Sequence, residues 1–514
     1  MARARSRTTM LAMTASVGLL AAATVLPAGA QSPSAPPSAP PSAPPSAPVI
    51  PPGTTVNLLT FNGPQVAEPL IRRAPDFEAA TGIHVNVIAV PFQDIYTKAI
   101  LDASTGNNAY DAYVFNPQWF GDFATPGYLE DLTPRIAADP SIEWDDIAPF
   151  FRDFSASYGG KTYAVPLDGD FHMAYYRKDL LDRDGVAVPK TWEDYLAVAE
   201  KYNGQDLNED GEADYGSCIA KKVGGQSYWW LIDFLAPLIQ SKGTGQGAFF
   251  DTTTMEPLFN NAAAKLALQN YKKTGDFGPP DENNTDLGVI RSLFTTGRCA
   301  LTLDWGDTGT LAPGTYVADK YASMVLPGST QVLDQASGAL VPCDATTCPD
   351  AVEGVNHAPL ADFGGWSGAV NAAAAPVVKD AAYAFLSYMT APAQSNVDVT
   401  IGASGYNPYR TSQFTDIQPW LDAGLSETAA NNYLGAIKDS LNSPNMVLDL
   451  RIPQTAQYEQ VALDQAVAAY LVGDANEEET MQQITDSWNE ITDKATGGRE
   501  AQLAAYNASL TVNR

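Results

Sequence analysis

The run Asp206-Leu207-Asn208-Glu209-Asp210-Gly211-Glu212-Ala213-Asp214 places oxygen-bearing side chains at alternate positions. It matches D-x-N-x-D-G-x-x-D, the front of a calcium loop, in which alternate side chains turn inward to give a hard cation its oxygen shell. Gly211 permits the sharp turn, and Glu212 would offer its backbone carbonyl. The bidentate Glu of an EF-hand is missing, because the twelfth position is Ser217. The expectation is a structural Ca2+ on Asp206, Asn208, Asp210, Glu212 and Asp214, with a further carboxylate drawn from elsewhere in the fold. The plainer reading is an acidic surface turn with no metal.

A second signal is aromatic. Trp119, Trp229, Trp230, Trp305 and Trp366 stand beside polar residues in loop-like contexts. Sugars have apolar C–H faces and hydroxyl rims, so a sugar site needs aromatic platforms with carboxylate and amide partners. Asp168 and Asp170, Asp304 and Asp307, and Asn62 and Gln65 are candidate partners. The competing reading of any single Trp is core packing. Catalytic motifs are absent: there is no G-x-S-x-G elbow, no H-E-x-x-H and no G-x-x-x-x-G-K-[ST]. Carboxylates are too abundant for any glycosidase-like pair to be informative. The three histidines, His84, His172 and His357, lie far apart, which argues against a His-rich zinc or copper site.

The elements that must position these groups follow from pattern. Val56–Phe61, Val85–Val90 and Asp111–Phe115 read as buried strands. Helical stretches at Pro69–Thr81, stopped by Gly82, and at Tyr96–Ala103 alternate with them. Alternation of this kind predicts an α/β fold with a largely parallel sheet and a ligand beyond the carboxyl ends of its strands. Thr191 reads as a helix N-cap, Ala374–Met389 as a helix, and Asn476–Lys494 and Glu500–Ser509 as two closing helices around the Gly497-Gly498 break.

The chain has 514 residues, with 30 Lys+Arg against 59 Asp+Glu, 45% hydrophobic and 17% charged. That is a globular composition, long enough for two lobes. The net charge of −29 repels nucleic acid and anionic membranes. Residues 1–30 read as a cleavable secretory signal: Arg3, Arg5 and Arg7, an apolar run from Met10 to Leu26, then Ala28-Gly29-Ala30. Gln31 follows rather than Cys, so no lipid anchor is expected and the protein is placed in the periplasm or outside the cell. Cleavage removes three arginines and no acid, leaving 27 against 59 and a net charge of −32. Residues 31–53 form a Pro/Ser/Ala-rich linker. About twenty such residues reach roughly 60 Å as polyproline II. Cys218, Cys299, Cys343 and Cys348 in an exported chain suggest disulfides. Three connectivities are open, the favoured one closing a local Cys343–Cys348 loop and pairing Cys218 with Cys299.

Several motifs, in order, resemble the extracellular solute-binding proteins of bacterial ABC importers, in the large sugar-binding family that includes maltose-binding protein. Gly127-Tyr128-Leu129-Glu130-Asp131-Leu132-Thr133 is similar to the family's G-x-L-x-D-L segment. Tyr163-Ala164-Val165-Pro166 through Asp168-Gly169-Asp170 to Tyr175–Leu180 resembles the first hinge crossing. Pro189–Asp194 resembles P-x-T-W-x-E/D, and Phe294–Leu301 resembles F-x-x-G-x-A-A-M. Trp488, Thr492, Gly498, Gln502 and Tyr506 resemble the closing helices. The resemblance covers nearly all of Thr54–Arg514. It implies a type II periplasmic-binding-protein fold: two α/β lobes joined by a hinge, with the ligand in the cleft between them. The expected lobes are 54–167 plus 371–442, and 168–370 plus 443–514.

Carried onto this chain, the family's cleft positions are Asn62, Gln65, Trp119, Asp168, Asp170, Trp305, Asp307, Trp366 and Arg451. The implied protein is a monomer that captures a carbohydrate and delivers it to a membrane permease without catalysis. Four Cys and the Pro-rich lead depart from the family. Two rival readings remain. Tyr175-Tyr176 resembles the tyrosine pair of ferric-ion binders, and a secreted carbohydrate-active enzyme is the other.

Overall fold

The computed structural model describes residues 50–362 and 364–511. The expected signal over 1–30 and the expected linker over 31–53, up to residue 49, lie outside the described residues. The described chain belongs to the unit Pro48–Arg514.

Two sheets organise it, as expected of two α/β lobes. The first has five strands. Thr55–Phe61 pairs in parallel with His84–Val90 on one side and with Ala112–Phe115 on the other. Ser367–Val370 then runs antiparallel to Ala112–Phe115 and to Ala164–Pro166. In the second, His172–Arg177 lies antiparallel between Tyr321–Met324 and Cys299–Trp305, and Tyr215–Cys218 pairs in parallel with Cys299–Trp305. Both sheets are therefore mixed, where the sequence pattern predicts a largely parallel one. The antiparallel strands are those next to chain crossings: a segment arriving from the other sheet is not bound by the βαβ connection that forces parallel pairing. The first crossing is short, from Pro166 to His172, and carries Asp168 and Asp170. The second returns the chain at Ser367, immediately after Trp366.

Local signals work as their chemistry dictates. The first helix runs Pro64–Thr81, starting five residues before the predicted start, because Pro64 suits the first turn, where an N–H has no partner. Gly82, at φ 73°, caps it in the left-handed region, its N–H reaching the Glu78 carbonyl at 2.7 Å. The second helix is Phe92–Thr105. Thr191 and Asp194 form a capping box, as do Asn476 and Glu479. The closing helices are Glu477–Lys494 and Gly498–Ser509. Trp488 on the first of them is fully buried, with ring centroids 5.0 Å from Phe250 and 4.8 Å from Phe259.

The helix Glu427–Leu441 packs on the second sheet: Asn432 Oδ1 accepts the Ser323 N–H at 2.6 Å, and Asn432 Nδ2 donates to the Ser323 carbonyl at 3.0 Å. The expected boundary at 442 assigned this helix to the first lobe. The disulfides are Cys218–Cys299, which ties two neighbouring strands of the second sheet, and Cys343–Cys348. Among the described residues no helix is long and apolar enough to cross a membrane.

Candidate ligand-binding site

The crossing that holds Asp168 and Asp170 is pinned by the loop around Asn407. The Asn407 N–H donates to Asp168 Oδ1 at 2.7 Å, and its side-chain amide bridges to Asp170 Oδ1 at 2.5 Å. Tyr433 Oη donates to Asn407 Oδ1 at 3.2 Å. The backbone of Gly169 runs so close to Pro408 that a Cβ would collide with its carbonyl. At the other end of the site, Cys299–Trp305 delivers Asp304 and, two residues beyond the strand, Asp307. Arg291, on the helix Leu287–Thr295, clamps both. Its Nη2 lies 2.8 Å from Asp304 Oδ1, and its Nη1 lies 2.6 Å from Asp307 Oδ2. Gly405, at φ 62°, sits where a side chain would overlap Gln65 and Asp307.

Together these residues face a cleft between the two sheets. Its inner part is lined by Phe61, Gln65, Phe92, Asp168, Asp170, Gln226, Trp229, Arg291, Trp305, Asp307 and Trp366. An adjoining cavity of about 780 Å³, sharing Phe61, Gln65, Phe92 and Arg291, adds Asn62 and Lys222. That volume suits a small-molecule ligand. The aromatic wall is continuous. Phe61 stacks on Trp366 at 5.6 Å and 12°, Phe92 stands edge-on to both, and Trp229 meets Trp305 edge-on at 5.5 Å. Trp305 Nε1 donates to Gln226 Oε1 at 2.8 Å, which orients that amide.

Seven of the nine residues singled out from the sequence therefore share this cleft: Asn62, Gln65, Asp168, Asp170, Trp305, Asp307 and Trp366. Two do not line it. Trp119 is fully buried against Tyr96 and Phe115. Arg451 stacks on Phe154 at 4.1 Å and donates through Nη1 to the Phe154 and Ser157 carbonyls. Both were expected at the cleft from the family resemblance, and packing turns them inward. Sequence reasoning missed Phe61, Phe92, Gln226, Arg291 and Gly405. Of these only Phe61 carried a signal, as the last residue of a buried strand.

The tyrosine pair is divided by the strand: successive residues point to opposite faces. Tyr175 Oη donates to the carbonyls of Trp305 and Gly306, 2.8 Å each. The acidic loop curls on itself, Asp206 accepting the N–H groups of Asp210 at 3.1 Å and Gly211 at 2.9 Å. Asp214 is buried, accepting from Arg298 Nε and from the Leu207 N–H. Among the described residues no group of three or more His, Cys, Asp or Glu is gathered to hold a metal.

Burial dominates the acids. It pushes Asp170 well above the carboxylate range, and the neighbouring charge of Asp168 adds to it. The two neighbouring carboxyls disfavour a second charge and offer their oxygens to a ligand hydroxyl. Burial raises Asp307 to about 7 against the pull of Arg291. Burial works against the charge on Arg291 too, but Asp304 and Asp307 overcome it and hold its pKa above the ordinary value. Farther in, Asp362 and Glu459 are raised well above normal by burial and by Asp449, and Asp464 is raised by burial to about 6.

These shifts set the pH dependence of stability. Unfolded carboxyls titrate near pH ~4. Between there and about pH 7 the folded state binds more protons, so this stabilisation is full below the unfolded pKa and is lost as pH rises through about 6 and 7. The melting temperature of the ligand-free protein should fall from pH 5 to pH 8. A rise across that interval by calorimetry would contradict the burial argument.

Comparison with known proteins agrees with this geometry. Residues 62–396 match the family described as bacterial extracellular solute-binding protein. A probable amino-acid ABC transporter periplasmic-binding protein of Sinorhizobium fredii is 25% identical over 66% of this chain and 69% of its own length. The mannitol-binding protein of Pseudomonas aeruginosa is 29% identical over 44% of this chain, which spans 47% of that relative. Among solved structures, an Agrobacterium radiobacter ABC transporter solute-binding protein in complex with ribitol has a TM-score of 0.70 at 22% identity, covering 85% of this chain and 99% of its own. A maltose-bound protein of T. maritima has a TM-score of 0.67 at 20% identity, covering 85% and 100%. The chain belongs to the bacterial extracellular solute-binding protein family.

Proposed function

We propose that this protein is the substrate-capturing component of an ABC importer, that its ligand is a carbohydrate (a mono- or oligosaccharide or a polyol), and that it hands this ligand to a membrane permease. The observation that carries the reading is the pairing of five aromatic rings with buried carboxyls and amides in one cleft. Rings supply apolar area to C–H faces, while Asp168, Asp170, Gln65 and Gln226 match a rim of hydroxyls. Arg291 is already engaged by Asp304 and Asp307, which disfavours an anionic sugar. Relatives named for mannitol and for erythritol and L-threitol support the same class. Closure of the lobes would bury both faces of the ligand, favouring the closed state by contacts made only there. The chain is read as a monomer exported by its N-terminal signal.

Titration calorimetry against a panel of pentitols, hexitols, monosaccharides and maltodextrins tests the reading. Micromolar or tighter binding of one class is expected. Binding of a non-carbohydrate solute, with no carbohydrate bound, would reject it.

The loop Asp206–Asp214 is read as a structural Ca2+ site. Its spacing and the αL conformation of Gly211, φ 89°, favour this. Asp206, Asn208, Asp210 and the Glu212 carbonyl would hold the ion, with Asp214 recruited from Arg298. Calcium in hundredfold excess over its Kd should add about 2.7 kcal/mol of stability, seen as a melting temperature that rises with Ca2+ and falls with chelator. The Asp206→Ala variant should be insensitive. No calcium-dependent shift in the unsubstituted protein would remove the metal.

A further inference from the structure

Beside the cleft lies a second cavity, of about 150 Å³. One wall is the first turns of the helix Phe92–Thr105, with Phe92 and Tyr96; another is Gly224, Gly225 and Tyr228. The floor is the helical segment that carries Gln460 and Asp464. The cavity shares Phe92, Gln93, Gly224 and Gly225 with the larger cleft, so a single ligand can reach both.

Its chemistry is one-sided. Asp464 is 2% exposed and Tyr228 1%. Asp464 Oδ2 accepts the Gly224 N–H at 2.7 Å, but its Oδ1 and the Tyr228 Oη have no partner among the described residues. No described basic side chain forms an ion pair with Asp464. Acids surround the same place: Glu459, Asp449 and Asp362 all act on Tyr228. His172 lies between Asp233 at 2.9 Å and Asp362 at 3.4 Å. Lys222 lines the larger cleft and not this cavity.

A buried carboxylate without a counter-charge is costly and calls for a cation. A metal ion would need several gathered ligands, and Asp464 belongs to no such group among the described residues. An alkylammonium needs less: one carboxylate, a hydroxyl, and aromatic surface, which Phe92, Tyr96 and Tyr228 provide. The volume, about 150 Å³, fits one such group.

We propose that this side cavity binds the ammonium group of an amine-bearing ligand, so that the protein captures a basic carbohydrate such as an amino sugar or an aminopolyol. For the polyol part of the ligand the proposal rests on the carbohydrate reading of the cleft. The amine donates to Asp464 Oδ1 and lies against the Tyr228 ring, while the hydroxylated skeleton occupies the main cleft.

Matched ligand pairs test it by calorimetry at pH 7.5: 1-amino-1-deoxyglucitol against glucitol, and chitobiose against its N,N′-diacetyl form, with tetramethylammonium as a probe that lacks any sugar. At least tenfold tighter binding of the amine in each pair is expected. Asp464→Asn should bring the ratio near one and leave the neutral partner within twofold. If that variant fails to fold, Gln460→Glu on the half-exposed rim should widen the ratio, and no widening would overturn the proposal. Equal affinity within the pairs, as for a cavity that holds only water, would also overturn it and leave the carbohydrate reading intact. Binding of tetramethylammonium with no carbohydrate bound would uphold the cation site and reject the carbohydrate reading. No binding of any ligand would reject both.

Discussion

Replacing Arg291 by Met should destabilise the protein by about 3–5 kcal/mol and abolish ligand binding. Arg291 is 9% exposed, and its guanidinium donates to two carboxylates at once, Asp304 at 2.8 Å and Asp307 at 2.6 Å. Met matches much of its volume but leaves both acids buried without a counter-charge, and that desolvation is the larger cost. Asp304 cannot turn to solvent, because it also accepts the Trp305 N–H at 2.7 Å. Displacing it would shift Trp305, and with it Gln226. The triple change Arg291→Met, Asp304→Asn, Asp307→Asn should recover most of the stability and none of the affinity, since it removes the charges together but takes the guanidinium and the Asp307 carboxylate out of the cleft lining. Denaturant unfolding checks the first effect. A loss below about 1 kcal/mol for the single variant would mean that the acids are already protonated and the clamp is not electrostatic.

Trp366→Ala should weaken the best carbohydrate by about 2 kcal/mol or more, roughly 30-fold in Kd. Trp366 stacks on Phe61, lies edge-on to Phe92 and donates its backbone N–H to Asp168 Oδ2 at 3.4 Å, so it joins platform to hydrogen-bonding rim. Truncation also costs stability, as removal of any buried indole does. Trp119→Phe supplies the control, because Trp119 is buried equally well but packs away from the cleft. It should lower the melting temperature and leave Kd unchanged. Equal affinity for Trp366→Ala and the unsubstituted protein would show that the stack is core rather than platform.

The pair Trp366 and Trp119 also shows how far sequence reading carries. Both are Trp in loop-like contexts beside polar residues, and composition cannot separate them. Trp119 follows a strand that is covered on both faces, so its ring completes a core with Tyr96, Phe115 and Phe123. Trp366 precedes a strand that enters from the other sheet, which leaves its ring at the gap between them. Asp168, Asp170, Trp305 and Asp307 were named as cleft residues through the family resemblance, and each sits at a strand end or crossing, where α/β folds bind ligands. Arg291 was not, because nothing local sets it apart from any other helix arginine; its role appears only when the helix is laid across the end of Cys299–Trp305. Gln226, Gly405 and Phe92 are hidden for the same reason: each reaches the cleft from a different, distant segment.

By itself the sequence determined the element types, the helix caps, the acidic character, and the residue classes a sugar site needs. Those are properties of short windows: periodicity, side-chain hydrogen bonds to nearby backbone, and charge count. Only the tertiary structure decided which carboxyls share one guanidinium, which ring faces the cleft and which the core, and that Asp464 stands in a cavity without a cation. Protonation and partnership inside a protein depend on burial and on neighbours hundreds of residues away, such as Asn407 against Asp168, and no local window contains them.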